Sequence, residues 1–373
     1  MRLREIRLHH VEMPLVAPFT TSFGTSNTKY TYIVEVLADT PAGSVTGWGE
    51  SVAMEAPLYS AEYLDGAAEV TKRWIAPLLF GVADLRAESL ADHLKHLVGH
   101  PMAKAAIEMA VLDAQLRATD QSFAAYLGVT ATSVPSGVSV GIQDSTAQMV
   151  EAVRGYVDAG YARIKLKIKP GADLEPVAAV RGEFGADLPL QVDANAAYTL
   201  VDAPHLRHLD AHDLLLIEQP LGEADIRQHA ELAQMMSTPM CLDESIVSPE
   251  AAADAISMRA AAVINIKPGR VGGYLQARTI HDLCRAHGIA VWCGGMLETG
   301  IGRAANAALA GLPGFTLPGD ISGSDRFYAQ DIVTEPIVMH DGVVDVPTGP
   351  GFGVEVDRDR LARFTTDVLT LTH

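Results

Sequence analysis

The sequence predicts an α/β protein: a (β/α) barrel that carries the chemistry, with an α+β cap built from the N-terminal region and the C-terminal tail. Three observations lead there. Five short apolar runs between Arg163 and Arg270 each close on a charged residue, namely Lys167, Asp193, Glu218, Asp243 and Lys267, and these are separated by 26, 25, 25 and 24 positions. Such an interval accommodates one strand, one helix and their loops. Residues 1–53 alternate as antiparallel strands do, and Ala61 to Leu127 then turns to the three- and four-residue spacing of helices. Finally, 373 residues are too many for one ordinary core. The division expected is a cap over residues 1–130, a barrel over 131–324 and a tail, 325–373, that returns to the cap as strands.

In a barrel the C-terminal strand ends open into one mouth, so the five charged residues converge there. Three carboxylates brought together repel one another unless a cation neutralises them. With oxygen ligands only, Mg²⁺ is the natural choice and Mn²⁺ a substitute. The lysines, one strand before and one after the acidic trio, fall on opposite sides of whatever the metal holds. This pattern suits removal of the proton next to a metal-bound carboxylate, with stabilisation of the enediolate. Clustered ammonium groups beside a dication are also expected to depress a lysine pKa.

Taking the elements in order, Leu3 to Val11 and Tyr30 to Leu37 read as strands, joined through Pro18 to Ser26. Phe19 and Phe23 make that loop either a flap over the mouth or a locally packed turn. Met54 to Tyr59 is a second candidate lining segment, with core packing as its alternative, and Met54 and Tyr59 are its candidate contacts. Glu108 and Asp113, on the Ala-rich helix Met102 to Arg117, read as structural charges. Val134 to Gly141 is the first barrel strand, with Ser139 near its end either solvated or bonded to a substrate carboxylate. Lys165 and Lys167 share a face by alternation, whereas Lys169 precedes Pro170-Gly171 and falls beyond the strand.

Asn195 lies on the face of Asp193. Of Asp243 and Glu244, alternation lets only one face the mouth, and the 25-residue phase selects Asp243. Arg270, just past its strand, either tunes Lys267 or pairs with the cap. The seventh strand, Ile289 to Cys293, ends in Gly294-Gly295-Met296-Leu297, where the glycines permit close approach and Met296 supplies an adaptable apolar wall. His281 and His287 fall in the preceding helix and loop and read as surface residues. The eighth strand, Phe315 to Pro318, leads into Asp320 and Ile321.

The formal charge of −18 argues against nucleic acid or an anionic membrane as partner. An acidic chain can still take a small-molecule carboxylate where the site itself holds metal and lysines. Cys241, Cys284 and Cys293 are odd in number and read as reduced thiols of a cytoplasmic protein. Neither a signal peptide's apolar stretch nor a membrane-length apolar run is present.

At these positions the sequence resembles the enolase superfamily, and within it the o-succinylbenzoate synthase and N-acylamino acid racemase family. The matching motifs are Lys165-Leu-Lys167, Asp193-Ala-Asn195, Glu218-Gln-Pro220, Asp243-Glu-Ser245, Lys267-Pro-Gly-Arg270, the stretch Trp292 to Arg303, and Leu317 to Ser322. The resemblance spans essentially the whole chain. It implies that Asp193, Glu218 and Asp243 hold Mg²⁺, that Lys167 moves the proton and that Lys165 assists it. Lys267 then acts as a stabilising cation in the dehydration that forms o-succinylbenzoate for menaquinone, or as the opposing acid-base in racemisation. Ser139, Asn195, Gly295, Met296, Leu297, Phe19, Phe23, Met54, Tyr59, Asp320 and Ile321 are the substrate-contact candidates, and Arg270 the modulator. A homo-oligomer is implied, an octamer being one form.

The mandelate racemase branch places a histidine at the seventh strand end, and this chain has none there, which disfavours acid-sugar dehydration. Dipeptide epimerases carry paired acids where Asp320 stands alone. A dipeptide epimerase, a muconate-type cycloisomerase and a catalytically dead barrel serving as a binding subunit are the alternatives.

Overall fold

The alternating N-terminal segments become three antiparallel strands, β1 (Arg2–Thr21), β2 (Gly24–Thr40) and β3 (Gly43–Glu50). The computed structural model describes residues 1–21, 24–41 and 43–373. The C-terminal run Thr365–Thr372 pairs antiparallel with β1 and completes a four-stranded sheet. The helix Pro101–Ala118 lies across it and is buried nearly all round, as befits a helix between two layers. Close approach depends on small residues: a Cβ at Gly47 or Gly49 would collide with the backbone of Ala106 and Ala110.

The run expected as one strand from Val134 to Gly141 divides at Ser136. Its first part, β4 (Ser133–Pro135), joins a separate three-stranded sheet, and its second, β5 (Gly137–Val140), begins the barrel. β6 (Arg163–Lys167), β7 (Leu190–Asp193), β8 (Ile217–Glu218), β9 (Met240–Leu242), β10 (Val263–Ile266) and β11 (Ala290–Cys293) follow in parallel, each beside the strand before it. Phe315 to Gly319 fills the eighth position without becoming a strand. It bridges Val291 through Phe315 and Ser136 through Gly319, and Pro318 has no N–H with which to extend a ladder.

β12 (Met339–His340) and β13 (Val343–Asp345) form a small sheet with β4, so Val343 to Val346 does not return to the cap sheet; only the final run, β14 (Thr365–Thr372), does so. Among the described residues, no helix is long and apolar enough to cross a membrane. All three cysteines are free and buried.

The connecting helices start where the sequence provides caps. Ser145, Asp225, Ser248 and Thr299 each accept a backbone N–H from the first turn of the next helix. Along β6 the apolar Ile164 and Leu166 pack outward in a cluster with Val177 and Val180, which leaves Arg163, Lys165 and Lys167 for the barrel interior.

Two cap glutamates tie the layers together. Glu50 accepts the backbone N–H and hydroxyl of Thr299 at the start of the helix Gly300–Ala310. Glu108 accepts the N–H groups of Tyr274 (3.1 Å) and Leu275 (3.0 Å) at the start of the helix Tyr274–His287. Asp113 likewise accepts from Trp48 and Phe352. Burial outweighs the two N–H bonds to Glu108 and pushes its carboxyl up to about 7 from 4.5. As pH rises through that window the unfolded chain releases this proton first, so the native state loses relative stability. Glu108→Gln removes the ionisation while keeping an acceptor. The expected result is a melting temperature that gains on the wild type between pH 5 and pH 8; parallel curves across that range would contradict it.

Candidate active site

The parallel register sets the charged residues side by side. Lys167 stands opposite Asp193, Asp193 opposite Glu218, and Asp243 lies two residues beyond the partner of Glu218. Asp193, Glu218 and Asp243 are each 1 % exposed or less. Isolated anions in such a place would cost several kcal/mol each, so every one is met by a cation. Lys165 Nζ reaches Glu218 Oε2 (3.1 Å), Asp193 Oδ2 (3.3 Å) and Asp320 Oδ2 (2.8 Å), and lies 4.7 Å from the Trp292 ring centroid. Lys167 Nζ donates to Asp193 Oδ2 (2.6 Å) and Asn195 Oδ1 (2.7 Å). Lys267 Nζ donates to Asp243 Oδ2 (2.8 Å) and Tyr59 Oη (3.1 Å).

These pairings set the electrostatics. Burial alone would raise Asp193, but Lys167 and Lys165 hold it below the usual carboxylate range; Arg270 and Lys267 do the same for Asp243. Glu218 carries the remaining repulsion: burial, with Asp193 and Asp243 beside it, pushes it up to about 8. Burial would lower Lys165 and Lys267, yet Asp320, Glu218 and Asp193 raise the first, and Asp243 and Tyr59 raise the second. At both, the adjoining carboxylates outweigh burial and the neighbouring arginine.

Further groups hold this arrangement. Asn265 Nδ2 donates to Glu218 Oε1 (2.7 Å), and Gln219 Oε1 accepts the N–H groups of Asp243 and Ser245. Gln219, Asn195 and Ala196 have positive φ of 38°, 42° and 60°, so backbone strain concentrates where the strands end. The alternation rule for Asp243 and Glu244 fails. β9 ends at Leu242, the chain turns, and both carboxyls point to the site. Glu244 accepts from Asn195 Nδ2 (2.8 Å) and is pushed up to about 7 by burial, Asp243 and Asp193.

Above this floor lies a cavity of about 420 Å³. Of the residues predicted from sequence, it is lined by Lys165, Lys167, Lys267, Ser139, Asn195, Gly295, Met296, Leu297, Asp320, Phe19, Met54 and Tyr59. Asp193, Glu218 and Asp243 lie beneath the ammonium groups. Arg270 is buried behind Asp243, to which it is ion-paired, and donates to Tyr59 Oη (2.9 Å) and to the carbonyls of Ile246 and Asn265. It thus contacts barrel and cap together.

Two expectations need correction. Ile321 does not line the cavity: it is 1 % exposed in the core, and its carbonyl accepts from Ser136 Oγ. The side chain points inward because Asp320, its neighbour, is turned to the mouth by Arg163 (2.9 Å) and Lys165. His281 is not at the surface; it is buried, stacks on Phe315 and accepts from Gly314 N. The close approach expected at the paired glycines is made by the protein's own groups: a Cβ at Gly294 would meet the side chains of Asn265 and Lys267, and one at Gly295 the backbone of Asp320. Phe23 lies outside the described residues.

Lys29, Glu298, Arg303, Ser322, Arg326 and Phe327 also line the cavity and were missed. For Lys29 a signal existed, since it occupies the inward phase of β2 with Thr31 and Ile33.

Three oxygen-only carboxylates on adjacent strand ends match a hard divalent cation, and the elevated Glu218 shows a repulsion that such an ion relieves. Among the described residues, no three Asp, Glu, His or Cys side chains already stand in a coordination geometry; the lysines hold the outer oxygens instead.

Residues 148–360 match the enolase C-terminal domain-like family, and residues 3–128 the mandelate racemase/muconate lactonizing enzyme N-terminal domain. Over 366 residues the chain is 59 % identical to an N-succinylamino acid racemase of Amycolatopsis sp, covering 98 % of each. It is 43 % identical over 365 residues to the o-succinylbenzoate synthase of Geobacillus kaustophilus, covering 98 % of this chain and 96 % of that one. The crystal structure of an enolase-superfamily member from Listeria innocua superposes with a TM-score of 0.95 at 41 % identity, covering 100 % of this chain and 99 % of that one. With matches at this level along its whole length, the chain belongs to the o-succinylbenzoate synthase and N-succinylamino acid racemase family of the enolase superfamily.

Proposed function

We propose that this enzyme moves the proton on the carbon α to a substrate carboxylate, and that racemisation of an N-succinylamino acid is its first reaction. The observation that carries the reading is the entry of two ammonium groups, Lys167 from β6 and Lys267 from beyond β10, into one cavity on either side of the strands that bear the carboxylate trio. A substrate carbon held between them loses its proton to one lysine and regains one from the other on the opposite face, which inverts it. Lys165, tied to Asp320 and the trio, supplies fixed positive charge for the substrate carboxylate. The apolar segments of Phe19, Met54 and Tyr59 exclude water.

Asp193, Glu218 and Asp243 would hold Mg²⁺, which when bound supplies the charge that stabilises a carboxylate as its α-carbon becomes electron-rich. Dehydration to o-succinylbenzoate is the second reading, favoured by the synthases at 43 % identity. There Lys167 would take the α-proton and return it to the departing hydroxyl, with Lys267 as a cation.

Proton NMR in D₂O with Mg²⁺ tests both readings. N-succinyl-phenylalanine should exchange its α-proton and yield both enantiomers, while Lys167→Ala and Lys267→Ala should each reduce exchange by roughly 10²- to 10⁴-fold. Wild-type inertness toward this substrate and toward the cyclohexadiene precursor of o-succinylbenzoate would overturn the substrate assignment.

A chelator should abolish exchange, and Mg²⁺ should raise the melting temperature of wild type but not of Glu218→Gln; equal rises in both would remove Glu218 from the metal site.

Arg270→Met strands Asp243 without its guanidinium partner. We expect a loss of about 3 kcal/mol in stability, measured by denaturant unfolding, together with a larger fall in racemisation than in dehydration, because Lys267 acts as an acid-base only in the former. Equal losses in the two reactions would argue that Arg270 is structural alone.

A further inference from the structure

One buried carboxyl at the barrel mouth has no part in holding metal or moving a proton. Glu244 is 7 % exposed and stands beyond the end of β9, from where it reaches over β8 to the end of β7. Its Oε1 accepts from Asn195 Nδ2 (2.8 Å), while its Oε2 has no hydrogen-bond partner among the described residues. Folding alone does not favour a buried carboxyl that is only half satisfied. Asn195, at positive φ, is held by its own N–H on Asp193 Oδ1 (3.0 Å), and its amide oxygen accepts from Lys167 Nζ (2.7 Å). Glu244, Asn195 and Lys167 thus form one chain of hydrogen bonds drawn from three strand ends.

This chain fixes which way the amide faces. A carboxylate only accepts and an ammonium only donates, so the NH₂ of Asn195 must face Glu244 and its oxygen must face Lys167. Turned over, the amide would set donor against donor and acceptor against acceptor. The consequence appears when Lys167 is a neutral amine with two N–H bonds and one lone pair. Asp193 Oδ2 (2.6 Å) and Asn195 Oδ1 occupy the two N–H bonds, which leaves the lone pair for the cavity that Lys167 lines. An amide free to turn would offer an N–H to that lone pair and quench the base. Lys267 is aimed by other groups, Asp243 and Tyr59. It makes no hydrogen bond to Glu244 or Asn195 among the described residues and feels Glu244 only as a nearby charge.

We propose that Glu244 is a positioning residue for Lys167: it locks the Asn195 amide so that the Lys167 lone pair faces the substrate's α-hydrogen, and it thereby governs one stereochemical face of the reaction. As that C–H bond breaks, the proton forms a third N–H bond on Lys167 and the electron pair stays on the α-carbon, delocalised into the carboxylate. The inference rests on the two-lysine reading given above, in which each lysine serves one enantiomer.

The test follows α-proton exchange in D₂O with Mg²⁺ on N-succinyl-L-phenylalanine and N-succinyl-D-phenylalanine separately, with Lys167→Ala and Lys267→Ala assigning each enantiomer to its lysine. Glu244→Gln removes the charge felt by Lys267 and keeps an acceptor for Asn195, whereas Glu244→Met removes both, so their comparison isolates the hydrogen bond. Exchange of the Lys167 enantiomer should be roughly 10- to 100-fold slower in Glu244→Met than in Glu244→Gln, through kcat more than KM. Exchange of the Lys267 enantiomer should differ between the two variants by less than about threefold. In an Asn195→Ala background the two should become equal, because Glu244 acts through that amide. Should Glu244→Met not fold, a reversed pair decides. Asn195→Asp sets a second acceptor against Glu244 and should slow the same enantiomer, and adding Glu244→Gln, which can donate, should restore roughly tenfold or more. Equal exchange of the Lys167 enantiomer in Glu244→Gln and Glu244→Met, equal falls for both enantiomers, or no restoration in the reversed pair overturns the proposal. If the two Lys→Ala variants do not separate the enantiomers, the two-lysine reading fails instead, and the coupling between Glu244→Met and Asn195→Ala then decides this one.

Discussion

Everything at the mouth of the barrel answers to one constraint: three carboxylates with almost no access to water stand on neighbouring strand ends. In so dry a setting an unpaired anion is untenable, and a pair is tolerated only with good geometry and further hydrogen bonds. The chain meets this by interleaving charge. Lysines come from the strand before and the strand after the trio, an arginine is buried at its back, and asparagines occupy the oxygens that remain. The balance is incomplete at Glu218, whose elevated pKa records that its acidic neighbours still outweigh its cation. A site built this way has an appetite for one more hard cation.

Position is provided by the register of the parallel sheet, and fine aim by the turns at the strand ends. Because β8 and β9 are only two and three residues long, the functional side chains sit where the backbone is already turning. Strained residues such as Gln219 and Asn195 belong there, and they persist because buried hydrogen bonds over-determine them. The cap contributes in two ways. Its glutamates terminate barrel helices, which locks the two layers together, and its Tyr59 meets both Lys267 and Arg270. Loss of docking would therefore alter the electrostatics of Lys267 as well as exposing the cavity.

The cavity is polarised along its length. The trio end holds neutralised charge, and Arg303 and Arg326, which form no ion pair among the described residues, stand against Phe327 elsewhere in the lining. Barrel folds readily diverge in substrate while retaining the groups at their strand ends.

Much of this is legible in the chain alone. A period of about 25 residues with a charge at each strand end is a direct consequence of βα geometry, so Lys165, Lys167, Asp193, Glu218, Asp243 and Lys267 can be read off the chain, and the twofold alternation puts Lys165 and Lys167 on one face. Periodicity is local information, and it fails where local rules lapse. Alternation misjudges Glu244 because the strand has already ended, and the resemblance carries Ile321 to the mouth along with Asp320, although ion pairs with β6 turn Asp320 alone that way and Ile321 packs in the core. The Phe315 to Gly319 segment holds the eighth place only through single bridges made possible by its neighbours. The grouping of Lys29, Arg303 and Arg326 on one cavity wall is out of reach. Lys29, Arg303 and Arg326 come from a cap strand, a barrel helix and a loop, and beyond the inward phase of Lys29 on β2 nothing in the sequence marks them out from other basic residues. Which of them lacks an acidic partner is a question of three-dimensional proximity, and only the packing of cap on barrel answers it, since charges separated by nearly 300 residues interact solely through the distance that folding gives them.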